Sequence, residues 1–158
     1  VDYYKNHPHM EAFDLAVRDS KNPVFYNGDL FSAAEILQFE RDYPGISTVM
    51  LGRGLLTNPA LAETEVSQIT QENTAAAPHL TAERIRAFHE EVLEGYRQAI
   101  PGDKNVLFKM KELWCYLGTL FPDKEKQLKK IRKAEKLDRY EAVVEELLSH
   151  NYIEIPRS

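Results

Sequence analysis

One cysteine, one tryptophan and seven glycines in 158 residues leave several chemistries without material. Cys115 alone forms no internal disulfide and no cysteine metal cage, a usage that suits a reducing compartment. No apolar run approaches the ~20 residues that span a bilayer, and no charged-then-apolar leader begins at Val1. The expectation is therefore a soluble, cytoplasmic chain without a membrane partner. The histidines at positions 7, 9, 79, 89 and 150 show neither His-x-x-x-His spacing nor a cysteine partner, so no metal site is expected. Positive charge is also scarce overall: 20 Lys/Arg oppose 25 Asp/Glu, which argues against a generally basic nucleic-acid binder.

What is present is unevenly spread. Residues 1–103 hold 8 Lys/Arg against 16 Asp/Glu, residues 104–139 hold 11 against 5, and residues 140–158 hold 1 against 4. The middle segment is the one plausible polyanion surface. With 43% hydrophobic residues the chain can bury a core, as one domain or two small ones.

The stretch Val49-Met50-Leu51-Gly52-Arg53-Gly54-Leu55-Leu56-Thr57-Asn58-Pro59 reads as a strand, a glycine turn and a helix. The apolar run ends at Gly52-Arg53-Gly54, and Asn58-Pro59 offers an N-cap followed by proline at the first helical position. The same grammar occurs earlier: Pro23-Val24-Phe25-Tyr26 is β-rich, Asn27-Gly28-Asp29 breaks it, and Ser32 with Glu35 has capping-box spacing. Both strands are short and apolar without alternation, as in parallel strands buried on both faces. Glycine at a strand's carboxyl end permits positive φ and lets backbone N–H groups close on a ligand. A helix start just beyond, with Arg53 as a forked cation, suits a phosphate oxygen. In (β/α)8 barrels such a site is often built from the loops after the seventh and eighth strands. Other readings stay open here: Asn-Gly is a common hairpin turn, a lone Gly-x-Gly is unspecific, and an arginine at a strand end can cap carbonyls instead.

Taken together, Pro23–Leu30 and, about twenty residues on, Val49–Pro59 resemble the end of the catalytic barrel of the tRNA-dihydrouridine synthases, flavin enzymes that reduce uridines in tRNA. Tyr3-Tyr4-Lys5-Asn6 resembles the segment after the sixth strand, and Met110–Gly118 resembles the helical C-terminal domain of a bacterial branch. The resemblance implies FMN as cofactor, its phosphate held by Asn27, Gly28, Asp29, Gly52, Arg53 and Gly54, with NADPH as electron donor and tRNA as partner. It assigns no catalytic residue to this chain. The family's catalytic cysteine, flavin-contacting lysine and His-x-Arg motif lie upstream of the matching segment, which implies the C-terminal part of an enzyme, inactive alone.

The expected fold is accordingly α/β plus all-α. Residues 1–65 would be the last β/α units of an incomplete (β/α)8 TIM barrel, 66–78 a polar linker, and 79–158 a helical tRNA-binding domain resembling a four-helix bundle. Barrel strands without neighbours leave edges and apolar side chains uncovered, so self-association is expected. In the helical part Thr81 caps a helix carrying Ile85, Phe88, Val92, Tyr96 and Ile100, and Pro101-Gly102 ends it. Val106, Leu107, Met110, Leu113, Trp114, Leu117 and Phe121 form a second stripe, and Asp123 and Asp138 are read as starting two more helices, the latter with Glu141 in capping-box spacing. The run containing Lys129, Lys130, Arg132 and Lys133 reads either as a solvated helix face or, with Lys109 and Lys111, as an RNA-phosphate surface. Tyr116 and Tyr140 are base-stacking candidates that helical spacing equally assigns to the core, and Cys115 is read as a half-buried structural thiol. Two rival functions remain at this level: another FMN-binding TIM-barrel oxidoreductase, or a non-enzymatic helical RNA-binding module.

Overall fold

The structure, a computed structural model, describes residues 7–63 and 80–149. The expected linker at 66–78 and the Tyr3–Asn6 segment lie outside the described residues. Helix α1 spans Met10–Asp19, α2 Ala33–Asp42 and α3 Arg53–Thr57; α4 spans Ala82–Ala99, α5 Asp103–Leu117, α6 Glu125–Lys133 and α7 Leu137–Ser149. Two single 3₁₀ turns, Gly118–Leu120 and Pro122–Lys124, join α5 to α6.

The two expected strands are reduced to one isolated parallel bridge between Tyr26 and Val49. The Tyr26 N–H donates to Thr48 O at 3.2 Å and the Met50 N–H to Tyr26 O at 2.7 Å. Neither segment has a second strand beside it among the described residues, and pairing stops after one register step. The expectation of burial on both faces is also corrected. Tyr26 is buried and Val49 packs toward the same cluster, whereas Phe25 and Met50, their neighbours in sequence, are each 59% exposed. The alternation of a one-sided strand is what the side chains follow.

Around that bridge sits the first core. Tyr26 stacks on Phe39 at 4.2 Å between centroids, and Phe13 meets Tyr26 edge-on at 5.0 Å. Helix α2 starts where the sequence places it: the Glu35 N–H donates to Ser32 Oγ at 3.2 Å, and the Ser32 N–H to Glu35 Oε2 at 2.9 Å, a closed capping box. It buries Ala33, Ile36 and Phe39, leaving Glu40 exposed. Helix α1 contributes Phe13 and Val17, while Ala16 is exposed.

The second core is larger and wholly helical. Helix α5 packs on α4, α6 and α7, and α7 packs on α4 and α6. All seven residues of the expected second stripe are buried, including Phe121, which follows the first 3₁₀ turn. Thr81 Oγ1 accepts from the Arg84 N–H at 3.2 Å and so caps α4. Gly102, at φ +87°, turns the chain into α5 in the left-handed region that favours glycine. Two helix starts differ from expectation. Asp123 lies in a 3₁₀ turn, and α6 begins at Glu125 without a side-chain cap. Helix α7 begins at Leu137, one residue before Asp138, so no capping box closes; Glu141 is instead held by Arg97 at 2.9 Å.

The cores meet at adjacent residues. Ala60 belongs to the helical core and Leu61 to the first. Helix α3 also packs on α5 and on the 3₁₀ turn at Gly118–Leu120, and Arg84 in α4 reaches both carboxylate oxygens of Glu63 at 2.7 Å.

Candidate functional site

The two glycine motifs come together. A guanidinium nitrogen of Arg53 donates to Asp29 Oδ1, joining the segment after Tyr26 to the start of α3. About a third of the Arg53 side chain, 32%, and 26% of that of Asp29 remain exposed. Asp29 thus fixes the direction of Arg53 and cancels part of its charge. The same carboxylate, after burial, pushes the Tyr26 phenol above its ordinary value. Asn27 is exposed and Gly28 half-buried.

The glycines do not act through positive φ, which among the described glycines occurs at Gly102 alone. Gly54 is needed for space: an added Cβ would lie 2.2 Å from Leu30 O, so the first turn of α3 sits directly on the backbone of the other motif. At Gly28 a Cβ would collide with the Tyr26 ring, and at Gly52 nothing lies within 4 Å. The expected turn at Gly52-Arg53-Gly54 is the beginning of a helix, with Gly52 as its N-cap. Asn58 is the C-cap of α3, and its side-chain oxygen accepts from the Ala60 N–H at 3.0 Å just ahead of a helical segment at 61–63, close to the helix start expected there. These features fit a phosphate group: open approach at Gly52, and a guanidinium already oriented and a third exposed.

The second assembly is a shallow groove of about 710 Å³ between α6 and α7. Lys126, Lys129, Lys130, Lys133, Lys136 and Arg139 line it, with Glu135 the one carboxylate. Lys130 also reaches Glu146 at 3.2 Å, an exposed pair of little strength. Of the sequence-derived RNA candidates, Lys129, Lys130 and Lys133 share this groove; Arg132, Lys109 and Lys111 do not line it. Lys109 pairs with Glu112 one turn on, at 3.1 Å. The groove's apolar floor, Ala134 and Val143, is what brings helix-end lysines from α6 and helix-start cations of α7 to one surface.

A polar network that the sequence pattern did not flag lies inside the helical core. The Trp114 indole N–H donates to the Tyr140 hydroxyl at 2.7 Å, and that hydroxyl lies 2.6 Å from His89 Nε2. The hydroxyl accepts from Trp114 and is also hydrogen-bonded to His89, the direction of that second bond following the histidine tautomer. Burial lowers the His89 pKa from 6.5 to about 4 and raises that of Tyr140. Fully buried Tyr140 is therefore core and no base-stacking residue, while Tyr116 is half-buried. Cys115 is corrected to an exposed thiol, its Sγ 3.5 Å from Lys111 O. His89 sits between the stripe positions Ile85, Phe88 and Val92; a polar residue at a buried helical position was the available signal.

Among the described residues no helix is long and apolar enough to cross a membrane. The family model for dihydrouridine synthase matches residues 15–151, which includes both glycine motifs and helices α4 to α7. No curated protein matches the chain.

Proposed function

The chain belongs to the dihydrouridine synthase family, and from that premise we propose that it serves the reduction of uridine in tRNA by supplying a flavin-phosphate site and a tRNA-docking surface. In this reading residues 1–65 are the last β/α units of a (β/α)8 barrel, and residues 79–158 are the tRNA-binding domain. The parallel Tyr26–Val49 bridge across a helical crossover supports the first part. The FMN phosphate would lie against Asn27, Gly28 and Gly52–Gly54, with Arg53 as cation and Asp29 orienting it. When bound, FMN reduced by NADPH supplies the hydride for the uridine ring. The chain's own residues bind and orient; none is assigned the proton transfer, and the 158-residue chain alone is expected to leave uridine unreduced. The exposed side chains of Phe25, Phe31, Met50 and Leu56 offer the surface for self-association.

The observation that carries the docking role is the groove itself: six cations and one carboxylate gathered on a chain of net charge -5. Its attraction for a polyanion is local and not a consequence of overall charge. Titrating tRNA with the whole chain at increasing salt tests it. Log affinity should fall linearly with log salt with a slope of about -4 to -5, as about five phosphate contacts at ~0.9 each require. Failure to bind at low salt, or affinity flat in salt, would remove the docking role.

A further inference from the structure

We infer that Phe108 stacks on an unpaired base of the bound RNA, with Lys104 and Lys111 holding the phosphates on either side. The inference rests on the docking role proposed above and adds to it the RNA element recognised, a single-stranded stretch as distinct from a duplex. Phe108 is 68% exposed, the most exposed of the large apolar side chains among the described residues. Its place on α5 excludes a marginal core role. The core stripe of that helix is Val106, Leu107, Met110, Leu113, Trp114 and Leu117, and at 100° per residue Phe108 points to the opposite side.

The same outer stripe carries Lys104 four residues before and Lys111 three residues after, one turn away in each direction. Neither lysine has a carboxylate partner among the described residues, whereas Glu112, the stripe's acid, is neutralised by Lys109. Asp103 opens the helix, where its charge complements the helix start. An aromatic ring with a free ammonium group one turn to either side, the two cations about 10 Å apart along the axis, is the combination that holds single-stranded nucleic acid: stacking on the base, charge on the backbone. A duplex hides its base faces and gains nothing from the ring. An acidic peptide with an apolar anchor has matching charge too, but the family acts on tRNA, whose loops present unpaired bases.

The test compares the full chain and its Phe108→Ala, Phe108→Tyr and Lys104→Ala/Lys111→Ala variants against a single-stranded oligoribonucleotide carrying 2-aminopurine and a blunt RNA duplex. Phe108→Ala should weaken the single strand by about tenfold or more and abolish the quenching of 2-aminopurine. Phe108→Tyr should retain both, and duplex binding should not change. The lysine double variant should lower the salt slope by about two. Since Phe108 is exposed, the melting temperature of each variant should match the parent. Unchanged single-strand affinity and quenching in Phe108→Ala, with binding through the α6–α7 groove intact, overturns this inference alone. A parent chain that binds neither RNA overturns the docking role with it, and Phe108-dependent capture of a poly-glutamate peptide in preference to RNA overturns the choice of partner.

Discussion

Replacing Lys129, Lys130 and Lys133 together with glutamate is expected to reduce tRNA affinity by about a hundredfold or more at ~0.1 M salt and to lower the salt slope by about three. All three side chains are exposed and line one groove, so the substitution changes potential without disturbing packing. The helical content and melting point should stay close to the parent's, with a small loss from placing like charges in the last turn of α6, where Lys130 and Lys133 now complement the helix end. Lys109 provides the contrast: it lies outside the groove and is paired with Glu112, so Lys109→Glu alone should alter tRNA affinity far less than the groove variant. Filter binding or fluorescence anisotropy at several salt concentrations measures both. Equal affinity and equal slope in parent and groove variant would return the lysines to the role of a solvated helix face.

Removing one oxygen from the helical core should have the other large effect. In Tyr140→Phe, the buried Trp114 N–H and His89 ring lose their shared partner at 2.7 and 2.6 Å. Two buried polar groups left unsatisfied cost about 2–4 kcal/mol, which in a domain of this size lowers the melting temperature by on the order of 10 °C or more. The network also sets a pH dependence. His89 has its folded pKa depressed from 6.5 to about 4, so the unfolded chain binds the proton first as pH falls. The neutral histidine's contribution is complete above 6.5 and is lost progressively down to about 4, in total about 3 kcal/mol. Denaturant midpoints at pH 7 and pH 4.5 should show that loss in the parent, and His89→Gln should flatten it. A pH-independent parent over that range, or Tyr140→Phe as stable as the parent, would show that the triad carries no structural weight.

Local grammar was legible wherever one side chain satisfies one backbone group. The capping box of Ser32 and Glu35 and the Thr81 cap could be read because their partners lie three residues away. The apolar stripe of α5 could be read because one period decides what is buried. The strands fall short of expectation because a strand needs partners that sequence periodicity does not supply, and among the described residues Tyr26 and Val49 pair only with each other. The glycine motifs are neighbours, as their adjacent units suggest, and Gly54 serves by lacking a side chain, whereas the expectation of positive φ fails. Gly54 is there for the close approach of Leu30 O, a long-range contact that no local pattern contains. The Arg53–Asp29 pair spans two motifs for the same reason. The role of His89 is not legible locally, because only the fold brings it to Tyr140 and Trp114, far away in sequence. The basic run showed charge but not shape; the turn at Ala134–Lys136 between α6 and α7 is what gathers six of its members into a groove.

The claim that joins the two halves of the chain is that Arg53 and its glycine neighbours receive a flavin phosphate beside a tRNA-docking domain. Flavin fluorescence during titration of the purified chain with FMN tests it most directly, with Arg53→Ala and the Lys129/Lys130/Lys133 variant in parallel. Saturable quenching is expected that inorganic phosphate competes away, that Arg53→Ala loses, and that the groove variant keeps. A chain that is cooperatively folded yet leaves FMN fluorescence unchanged, or that quenches it equally well without Arg53, would rule out a flavin-phosphate site at Arg53.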